Sequence, residues 1–213
     1  MVIDVAKCIG CQACTVACKT ENATPADVWY APVLEHEVGT YPTARMEYIP
    51  VLCNHCADAP CVKACPNKAL RKREDGIVTY DQDRCVGDRA CLTACPYGAS
   101  HIQFAERGES LGGGRRTASS VPEQQARKRY QRGTVMKCTF CEHRVDYGLE
   151  HGLVPGVDIL ATPACVITCP AQCRIFGDLN DPDSTVSVYL EERGPAKVLR
   201  PDAKTGGHVF YVG

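Results

Sequence analysis

Fifteen of the sixteen cysteines in this protein of 213 residues recur in four runs, and their spacing is that of metal-ligating thiols. The runs comprise Cys8, Cys11, Cys14 and Cys18; Cys53, Cys56, Cys61 and Cys65; Cys85, Cys91 and Cys95, with Asp88 between the first two; and Cys138 and Cys141, followed after a gap by Cys165 and Cys169. Proline follows Cys65, Cys95 and Cys169. Thiolates spaced in this way bind soft metal centres, which here means zinc ions or iron–sulfur clusters.

Three uses of the cysteines compete: disulfides, zinc sites and iron–sulfur clusters. A disulfide framework is typical of small secreted domains, whereas this chain is long and begins without the basic start and apolar stretch of an export signal. Two Cys-x2-Cys pairs complete a zinc site, so zinc gives no reason for a third and a fourth cysteine in one run. The bacterial cluster-binding run is C-x2-C-x2-C-x3-C-P, and the observed pattern therefore favours iron–sulfur clusters.

The geometry of a short loop followed by a helix explains this spacing. Three thiolates on the loop wrap one cluster while backbone N–H groups point at its sulfides, as they do in anion nests. The helix then carries the fourth cysteine one turn further and turns it away, so we predict that it reaches a neighbouring cluster. The following proline ends the helix. Because Cys18 is followed by Lys19, the first helix is expected to continue through Asn22 before Pro25.

The ligand tally does not use every cysteine. Four clusters need about sixteen protein ligands, but Cys173 falls outside the runs and Asp88 stands where the third run lacks its second cysteine. Fifteen thiolates and one carboxylate are therefore the better count. Cys173 is expected to be a spare thiol near a cluster.

The segments around the runs predict an α+β fold. Strands are expected at residues 2–5, 46–49, 77–80, 99–104 and 175–176, and the turn Glu74-Asp75-Gly76 predicts a hairpin of Leu70 and Arg71 with 77–80. A helix is expected at 184–192, capped by Ser184, and the tail at 208–212 is expected to be a strand or an extended clasp. The order strand, cluster loop and helix repeats, which indicates a duplicated ferredoxin-like plan of two bacterial two-cluster units with loop insertions.

Composition and charge exclude several classes of function. The formal charge of −1 leaves no global positive field, so we expect no nucleic-acid partner. No segment approaches the ~20 apolar residues of a membrane-spanning helix, so we expect no span. Residues 106–132 are expected to be a solvated connector or, alternatively, a docking arm for a partner. The cations beside the runs, Arg84, Lys137 and Arg144, are expected on solvated faces, with a charge effect that raises nearby cluster potentials as the alternative.

Five phrases besides the runs carry a family resemblance: CKTEN at 18–22, LCNHC at 52–56, APCV at 59–62, KCTFCEHR at 137–144 and FGDL at 176–179. With them the sequence resembles the four-cluster iron–sulfur (beta) subunits of molybdopterin oxidoreductases of the dimethyl sulfoxide reductase family. The likeness covers nearly the whole sequence and is greatest to the polysulfide or thiosulfate reductase and respiratory arsenate reductase branch.

The resemblance implies four ligand sets. Cluster 1 takes Cys8, Cys11, Cys14 and Cys169; cluster 2 takes Cys18, Cys138, Cys141 and Cys165; cluster 3 takes Cys53, Cys56, Cys61 and Cys95; and cluster 4 takes Cys65, Cys85, Cys91 and the Asp88 position. The implied units are residues 1–45 with 133–183, which hold clusters 1 and 2, and residues 46–105, which hold clusters 3 and 4. Residues 106–132 form a linker between them, and 184–213 a C-terminal helix and tail.

Asp88 departs from the family pattern, which has cysteine at this position, or tryptophan beside a three-iron cluster in nitrate reductase-like members. Carboxylate oxygen is a harder ligand than thiolate and holds iron in a sulfur-rich cluster less firmly. Either Asp88 ligates the fourth iron of a [4Fe-4S] cluster, or that iron is absent and cluster 4 is [3Fe-4S], with the carboxylate facing water. The three-iron form is slightly favoured, beside three [4Fe-4S] clusters at the other sites.

The resemblance implies an electron-transfer subunit that has no catalytic site of its own. It would relay electrons between a membrane anchor, cytochrome or quinol donor and a molybdenum or tungsten bis-pterin catalytic subunit in anaerobic respiration, with arsenate and polysulfide or thiosulfate as leading substrates. The resemblance favours the periplasm or outer membrane face, by co-export with the catalytic subunit, over the cytoplasm. The alternatives are a subunit of a formate dehydrogenase- or hydrogenase-type complex and a free multi-cluster ferredoxin.

Overall fold

A computed structural model describes residues 1–25, 27–98, 101–104, 125 and 128–213, and its short helices and strands form an α+β fold, as predicted. The helices are α1 (Ala13–Asn22), α2 (Pro60–Ala64), α3 (Ala90–Ala94), α4 (Glu142–Glu150), α5 (Ala164–Ile167) and α6 (Thr185–Arg193). The strands are β1 (Val2–Asp4), β2 (Val33–Val38), β3 (Arg45–Pro50), β4 (Leu70–Lys72), β5 (Val78–Tyr80), β6 (Gln103–Phe104), β7 (Val135–Met136), β8 (Arg174–Ile175) and β9 (Phe210–Val212). Single 3-10 turns lie at Val5–Lys7, Ile159–Ala161 and Pro201–Ala203.

A three-stranded sheet joins the beginning of the chain, the segment after the fourth cysteine run and the tail. The central strand β1 pairs antiparallel with β8, Val2 opposite Ile175, and parallel with β9, Val2 opposite Phe210. Val2 and Ile3 are fully buried because β1 has a neighbour on each side and core on both faces. The tail expected at 208–212 therefore ends as a paired strand.

In the described residues, two hairpins (β2–β3 and β4–β5) and one further antiparallel pair (β6–β7) lie between β1 and β8 in sequence. The predicted hairpin of β4 and β5 is present, and the amide of Ile77 donates to Asp75 Oδ1 within its turn. Strand β2, which pairs with β3, was not predicted, because Glu35, His36 and Glu37 are exposed and break the apolar alternation. The expected unit boundary at residue 45 falls at the start of β3, and the division into two units stays a prediction.

The strand predicted at 99–104 is wrong in its described part, where only Gln103–Phe104 is extended. Gly98 has a positive φ, and the amides of His101 and Ile102 both donate to its carbonyl oxygen, so the chain turns there instead. Residues 99 and 100 and most of the connector expected at 106–132 lie outside the described residues.

The helices pack in pairs that bring different cysteine runs together. Helix α1 ends at Asn22, as predicted, and lies against α5, while α2 lies against α3. Helix α4, which was not predicted, packs tightly against the turn at Ile159–Ala161, since a Cβ added at Gly148 would lie 2.3 Å from Ala161 Cβ. No helix in the described ranges is long and apolar enough to cross a bilayer.

Cysteines make up a large part of the buried core. One cluster of buried side chains packs Cys14, Cys18, Cys138 and Cys165 with Phe140 and Phe176. A second packs Cys56, Cys61 and Cys91 with Leu70, Val78 and Ile102. Burial of these thiols in two centres of packing means that the fold is organised around its sulfur.

The buried carboxylate of Asp4 attaches the C-terminal helix to the sheet. Helix α6 is capped as predicted, the amide of Ser187 donating to Ser184 Oγ. From this helix the Tyr189 hydroxyl donates to Asp4 Oδ2 at 2.6 Å, and the Arg193 guanidinium lies 2.6 Å from the same oxygen. Asp4 is 1% exposed, so it is the point on which this attachment depends.

Replacing Asp4 with alanine should therefore destabilise the protein. The variant leaves the half-buried Tyr189 hydroxyl without its acceptor, which costs about 1–3 kcal/mol. We expect urea unfolding under anaerobic conditions to show this loss, with proteolysis beginning in α6. Asp202→Ala is the matched control, because Asp202 pairs with Arg200 on the surface and should change stability little. Equal stability of the two variants would contradict the role of Asp4.

Candidate metal centres

Each of four short helices begins with a cysteine at its second residue and is followed four residues later by another. The first cysteines are Cys14 in α1, Cys61 in α2, Cys91 in α3 and Cys165 in α5. Of the second cysteines, Cys18 stays within α1, whereas Cys65 and Cys95 are extended C-caps. Proline follows each of these caps and ends the helix, as predicted, because the residue before proline avoids the helical conformation.

Left-handed backbone recurs in the loops that precede these cysteines. Gln12, Arg89 and Cys141 have φ angles of 59°, 61° and 52° and stand directly before α1, α3 and α4. Alternation of right- and left-handed residues turns successive amides to one side, where they bind anions. Amides donate to sulfur, among them Val135 to Cys85, Phe140 to Cys138 and Ala69 to Cys65, at 3.3–3.4 Å. Such donors favour charged thiolates and cluster sulfides.

The structure brings together the four cysteines predicted for cluster 2. Burial first, and then the charges of Cys138, Cys165 and Cys141, hold the pKa of Cys18 well above its ordinary value. The Asn22 side chain donates to two of these sulfurs, Cys18 Sγ at 3.5 Å and Cys141 Sγ at 3.8 Å. Three separate segments of the sequence therefore meet at one buried point.

The four cysteines predicted for cluster 3 line one cavity. Cys53, Cys56, Cys61 and Cys95 line this pocket together with Pro60, Val78, Tyr97 and Ile102. Burial and the charges of Cys53 and Cys95 raise the pKa of Cys61 to about 12. An apolar chamber with four thiols at its wall fits a polynuclear cluster, because each iron of a cluster takes one thiolate.

The residues predicted for cluster 4 also gather, but nearer to solvent. Burial, followed by the charges of Cys85 and Cys65, raises the pKa of Cys91 to about 11, and Asp88 adds a smaller effect of the same sign. The Asp88 side chain is exposed, and its Oδ1 accepts the amide hydrogen of Ala90 at 3.1 Å. One carboxylate oxygen is thus already used by the turn that leads into α3.

In the set predicted for cluster 1, Cys8 and Cys169 are linked through Cys173. Cys8 is half-buried, Cys11 exposed and Cys14 buried. Cys169 Sγ lies 3.5 Å from Cys173 Sγ, and this contact holds the pKa of Cys169 below its ordinary value. The charge of Cys8 raises the pKa of Cys173. Cys173 is therefore a buried neighbour of this set, in agreement with the expected spare thiol close to a cluster.

The donor set fits clusters better than single ions. All sixteen cysteines are free thiols. Within the described ranges, no three His, Cys, Asp or Glu side chains converge as ligands of one ion. The pocket lined by Cys53, Cys56, Cys61 and Cys95 offers sulfur donors, which iron in a cluster prefers. The residues present therefore fit iron–sulfur clusters.

Two buried cations beside these sets were not foreseen from the sequence. The expectation that Lys137 is solvated is wrong, since its side chain is fully buried and its ammonium donates to the carbonyl oxygens of Val78 and Cys138. Arg174 is also buried, next to Cys165. The strand residues Val135 and Met136 before Lys137 were the only available signal, because a buried strand carries its following residue inward.

A buried aromatic contact joins the second and fourth runs. His55, in the loop between Cys53 and Cys56, stacks on Phe140, in the loop before Cys141, with ring centroids 3.8 Å apart. His55 Nδ1 accepts the amide hydrogen of Val78, and burial holds its pKa well below the usual value, so the ring is neutral. The loops of sets 2 and 3 are thereby held side by side.

Comparison with known proteins agrees with this geometry. Two families, each described as a 4Fe-4S dicluster domain, match residues 7–69 and residues 44–110. The first match covers the first two cysteine runs, and the second match covers the second and third. Iron–sulfur cluster binding by tandem ferredoxin-like domains is therefore established at the level of the family.

Relatives of full length are similar over nearly the whole sequence. The iron–sulfur subunit of the arsenate respiratory reductase of Shewanella sp. strain ANA-3 is 38% identical, over 100% of this chain and 94% of that subunit. One subunit of the tetrathionate reductase of Salmonella typhimurium is 38% identical, over 100% and 70%. One polypeptide of the polysulfide reductase of Wolinella succinogenes is 33% identical, over 97% and 88%.

The buried position of Lys137 leads to a prediction about stability. In Lys137→Met the carbonyl oxygens of Val78 and Cys138 lose their donor, which costs about 1–3 kcal/mol for each buried group. Anaerobic urea unfolding should show the loss. Lys197→Met changes an exposed lysine in the same way and should leave the unfolding midpoint unchanged. A Lys137→Met protein as stable as the parent would contradict the described contacts.

Proposed function

The protein belongs to the family of iron–sulfur subunits of respiratory reductases related to dimethyl sulfoxide reductase, and from that premise we propose that it conducts electrons through a line of four clusters. It is an electron-transfer subunit and not the catalytic one. The protein holds the clusters, and the clusters supply one-electron transfer when bound. What this chain contributes is ligation, spacing, exclusion of water and control of charge.

The observation that carries the proposal is the crossing of cysteine runs between sets. Cys14 and Cys18 lie on one helix, yet Cys18 is grouped with Cys138, Cys141 and Cys165, from the fourth run. The charge of Cys95 likewise raises the pKa of Cys61. The charge of Cys65, four residues further along the chain, instead raises the pKa of Cys91. This supports the ligand sets proposed above for clusters 1 to 4, since each helix would bind two neighbouring clusters.

The proposed order of the clusters follows from the contacts between the sets. The α1–α5 contact puts sets 1 and 2 side by side, and the α2–α3 contact does the same for sets 3 and 4. The charge of Cys53 raises the pKa of Cys138, which supports adjacency of sets 2 and 3. Thiols of the end sets, such as Cys11 and Cys85, are the more exposed ones. A line that is open at both ends suits a relay between two partners.

The partners that we propose are a molybdenum or tungsten bis-pterin catalytic subunit and an electron donor such as a membrane anchor, a cytochrome or a quinol. The relatives are named as parts of arsenate, tetrathionate and polysulfide reductases, and a subunit of a reductase complex needs a catalytic partner. We further propose export together with the catalytic subunit to the outer face of the membrane. Accessibility of this chain to protease in intact spheroplasts tests that location, and full protection would contradict it.

At cluster 4 we propose a [3Fe-4S] cluster with Asp88 beside it. Oδ1 of this carboxylate is engaged by the amide of Ala90, and the side chain is open to water, which competes with a carboxylate for iron. The carboxylate is also a harder ligand than the thiolate it replaces. The potential of this cluster should differ from that of an all-thiolate cluster, because ligand type and exposure both set it.

Iron analysis combined with EPR tests the proposed cofactor content. The anaerobically purified protein should contain about fifteen irons and as many inorganic sulfides as four clusters require, and the oxidised sample should show a three-iron signal. About eight irons would mean two clusters and would contradict the proposed line of four clusters. About sixteen irons with no three-iron signal would instead favour a fourth iron held by Asp88.

The Asp88→Cys variant tests the cluster 4 assignment separately. A thiolate at this position should capture a fourth iron, so the oxidised three-iron EPR signal should disappear and the iron content should rise by about one per chain. Asp88→Ala is the matched control and should keep the three-iron signal. An unchanged spectrum in the cysteine variant would sink the assignment, and loss of the signal in the alanine variant would show that the carboxylate is needed to hold the cluster.

A further inference from the structure

Arg174 is a buried arginine whose charge has no carboxylate partner in the described part of the chain. It lies at the start of β8, directly after Cys173, and is 3% exposed. Its Nε and Nη2 atoms have no hydrogen-bond partner among the described residues, and its Nη1 lies 4.0 Å from Cys165 Sγ. Two of the guanidinium nitrogens are thus buried without a hydrogen-bonded acceptor among the described residues, close to the thiols of Cys165 and Cys14.

Such an arrangement is costly unless an anion is bound nearby. Arginine stays protonated in proteins, so Arg174 cannot relieve the cost of burial by losing its charge. A buried charge is found paired, as Asp4 is with Arg193 in this same protein. The unpaired guanidinium therefore indicates an anionic group that occupies the space in front of Nε and Nη2.

The sulfur atoms near Arg174 come from two different sets. Burial alone would lower the pKa of Arg174, but the charges of Cys165 and Cys14 act against this and raise it. Cys14 belongs to set 1 and Cys165 to set 2. The charge of Arg174 also acts to lower the pKa of Cys169, of set 1, and that of Cys18, of set 2. The side chain therefore lies where sets 1 and 2 meet.

The fold fixes this position firmly. Arg174 pairs with Ile3 of β1 in the central sheet, and α5, which carries Cys165, packs both on β8 and on α1. The guanidinium is thus held on a strand that packs against α5, and α5 packs in turn on α1. A rigidly placed charge costs no reorganisation when the charge of its neighbours changes.

We propose that Arg174 is a fixed positive charge shared by clusters 1 and 2 that raises the reduction potential of both. The proposal rests on the ligand sets proposed above. Reduction adds one electron to an anionic cluster, and a nearby cation in a medium of low dielectric constant stabilises the reduced form more than the oxidised form. Arg174 is a positioning residue in this sense, since it ligates no iron.

A charge shared by two clusters has a particular consequence. Both potentials rise by a similar amount, so the driving force for the step between clusters 1 and 2 is kept. The pair as a whole becomes easier to reduce relative to clusters 3 and 4. Arg174 would thereby raise the reduction potentials of clusters 1 and 2 together without changing the difference between them.

Arg174→Gln in the full-length, cluster-loaded protein tests the proposal by EPR-monitored redox titration. We expect the equilibrium constant for reduction of clusters 1 and 2 to fall at least tenfold for each, which is about 59 mV for a one-electron couple. The cluster bound by Cys65, Cys85 and Cys91 should stay within about threefold of the parent, since it belongs to the far end of the proposed line, where solvent and salt screen the charge. Arg174→Lys keeps the charge and should stay near the parent for all clusters.

Arg45→Gln is the matched control, because it removes the same charge from an exposed position on β3. It should leave every potential unchanged. Unchanged potentials of clusters 1 and 2 in Arg174→Gln, or an equal fall in all four clusters, would overturn the proposal.

If Arg174→Gln does not hold its clusters, the iron content of the two Arg174 variants decides the test instead. Retention of iron by Arg174→Lys, at parental potentials, would then support a requirement for the charge. Loss of iron from Arg174→Lys as well would overturn the proposal, since the shape of the guanidinium rather than its charge would be what matters. Absence of four clusters from the parent protein would instead contradict the proposed function and leave the role of Arg174 without a basis.

Discussion

Two cysteines four residues apart on or beside each short helix impose the constraint on which the rest of the structure depends. An α-helix rises 1.5 Å per residue, so about 6 Å and roughly one turn separate the two thiols. In the ligand sets proposed above, the two thiols of a pair bind neighbouring clusters, and each helix then lies between two centres. The contacts of α1 with α5 and of α2 with α3 are the packing that satisfies this requirement.

Burial of many cysteine side chains raises the pKa of their thiols. Desolvation is the first cause that raises the pKa of Cys18, Cys138 and Cys165, the last to about 12, so without a partner these groups are stable as neutral thiols. Iron binds the thiolate, and cluster binding must therefore offset the cost of buried negative charge. Donors such as Asn22 and the buried cation Arg174 lie where that charge would develop.

The sequence was most informative where spacing alone determines structure. The start of α1 near Cys14 and its end at Asn22, the cap at Ser184 and the β4–β5 hairpin all follow from local rules about helices, caps and turns. The cysteine sets stay a prediction, and their full assignment needed a family resemblance, because spacing does not show which cluster a given cysteine binds.

The remaining features depend on contacts between distant segments. Strand β2 is built from exposed charged residues and is defined only by its pairing with β3. The burial of Lys137, which was expected on a solvated face, and of Arg174, for which no prediction was made, depends on the packing of the segments around strands β7 and β8. The pairing of β9 with β1 joins the two ends of the described fold, and no short-range signal specifies it.

The central claim is that thiols from separated runs hold a line of four iron centres, and diffraction at the iron absorption edge from anaerobically grown crystals tests it most directly. The account predicts four anomalous peaks of several irons each, the second of them next to Cys18, Cys138, Cys141 and Cys165. Single-atom peaks of another metal, disulfides among these cysteines, or iron bound only within one run would contradict it.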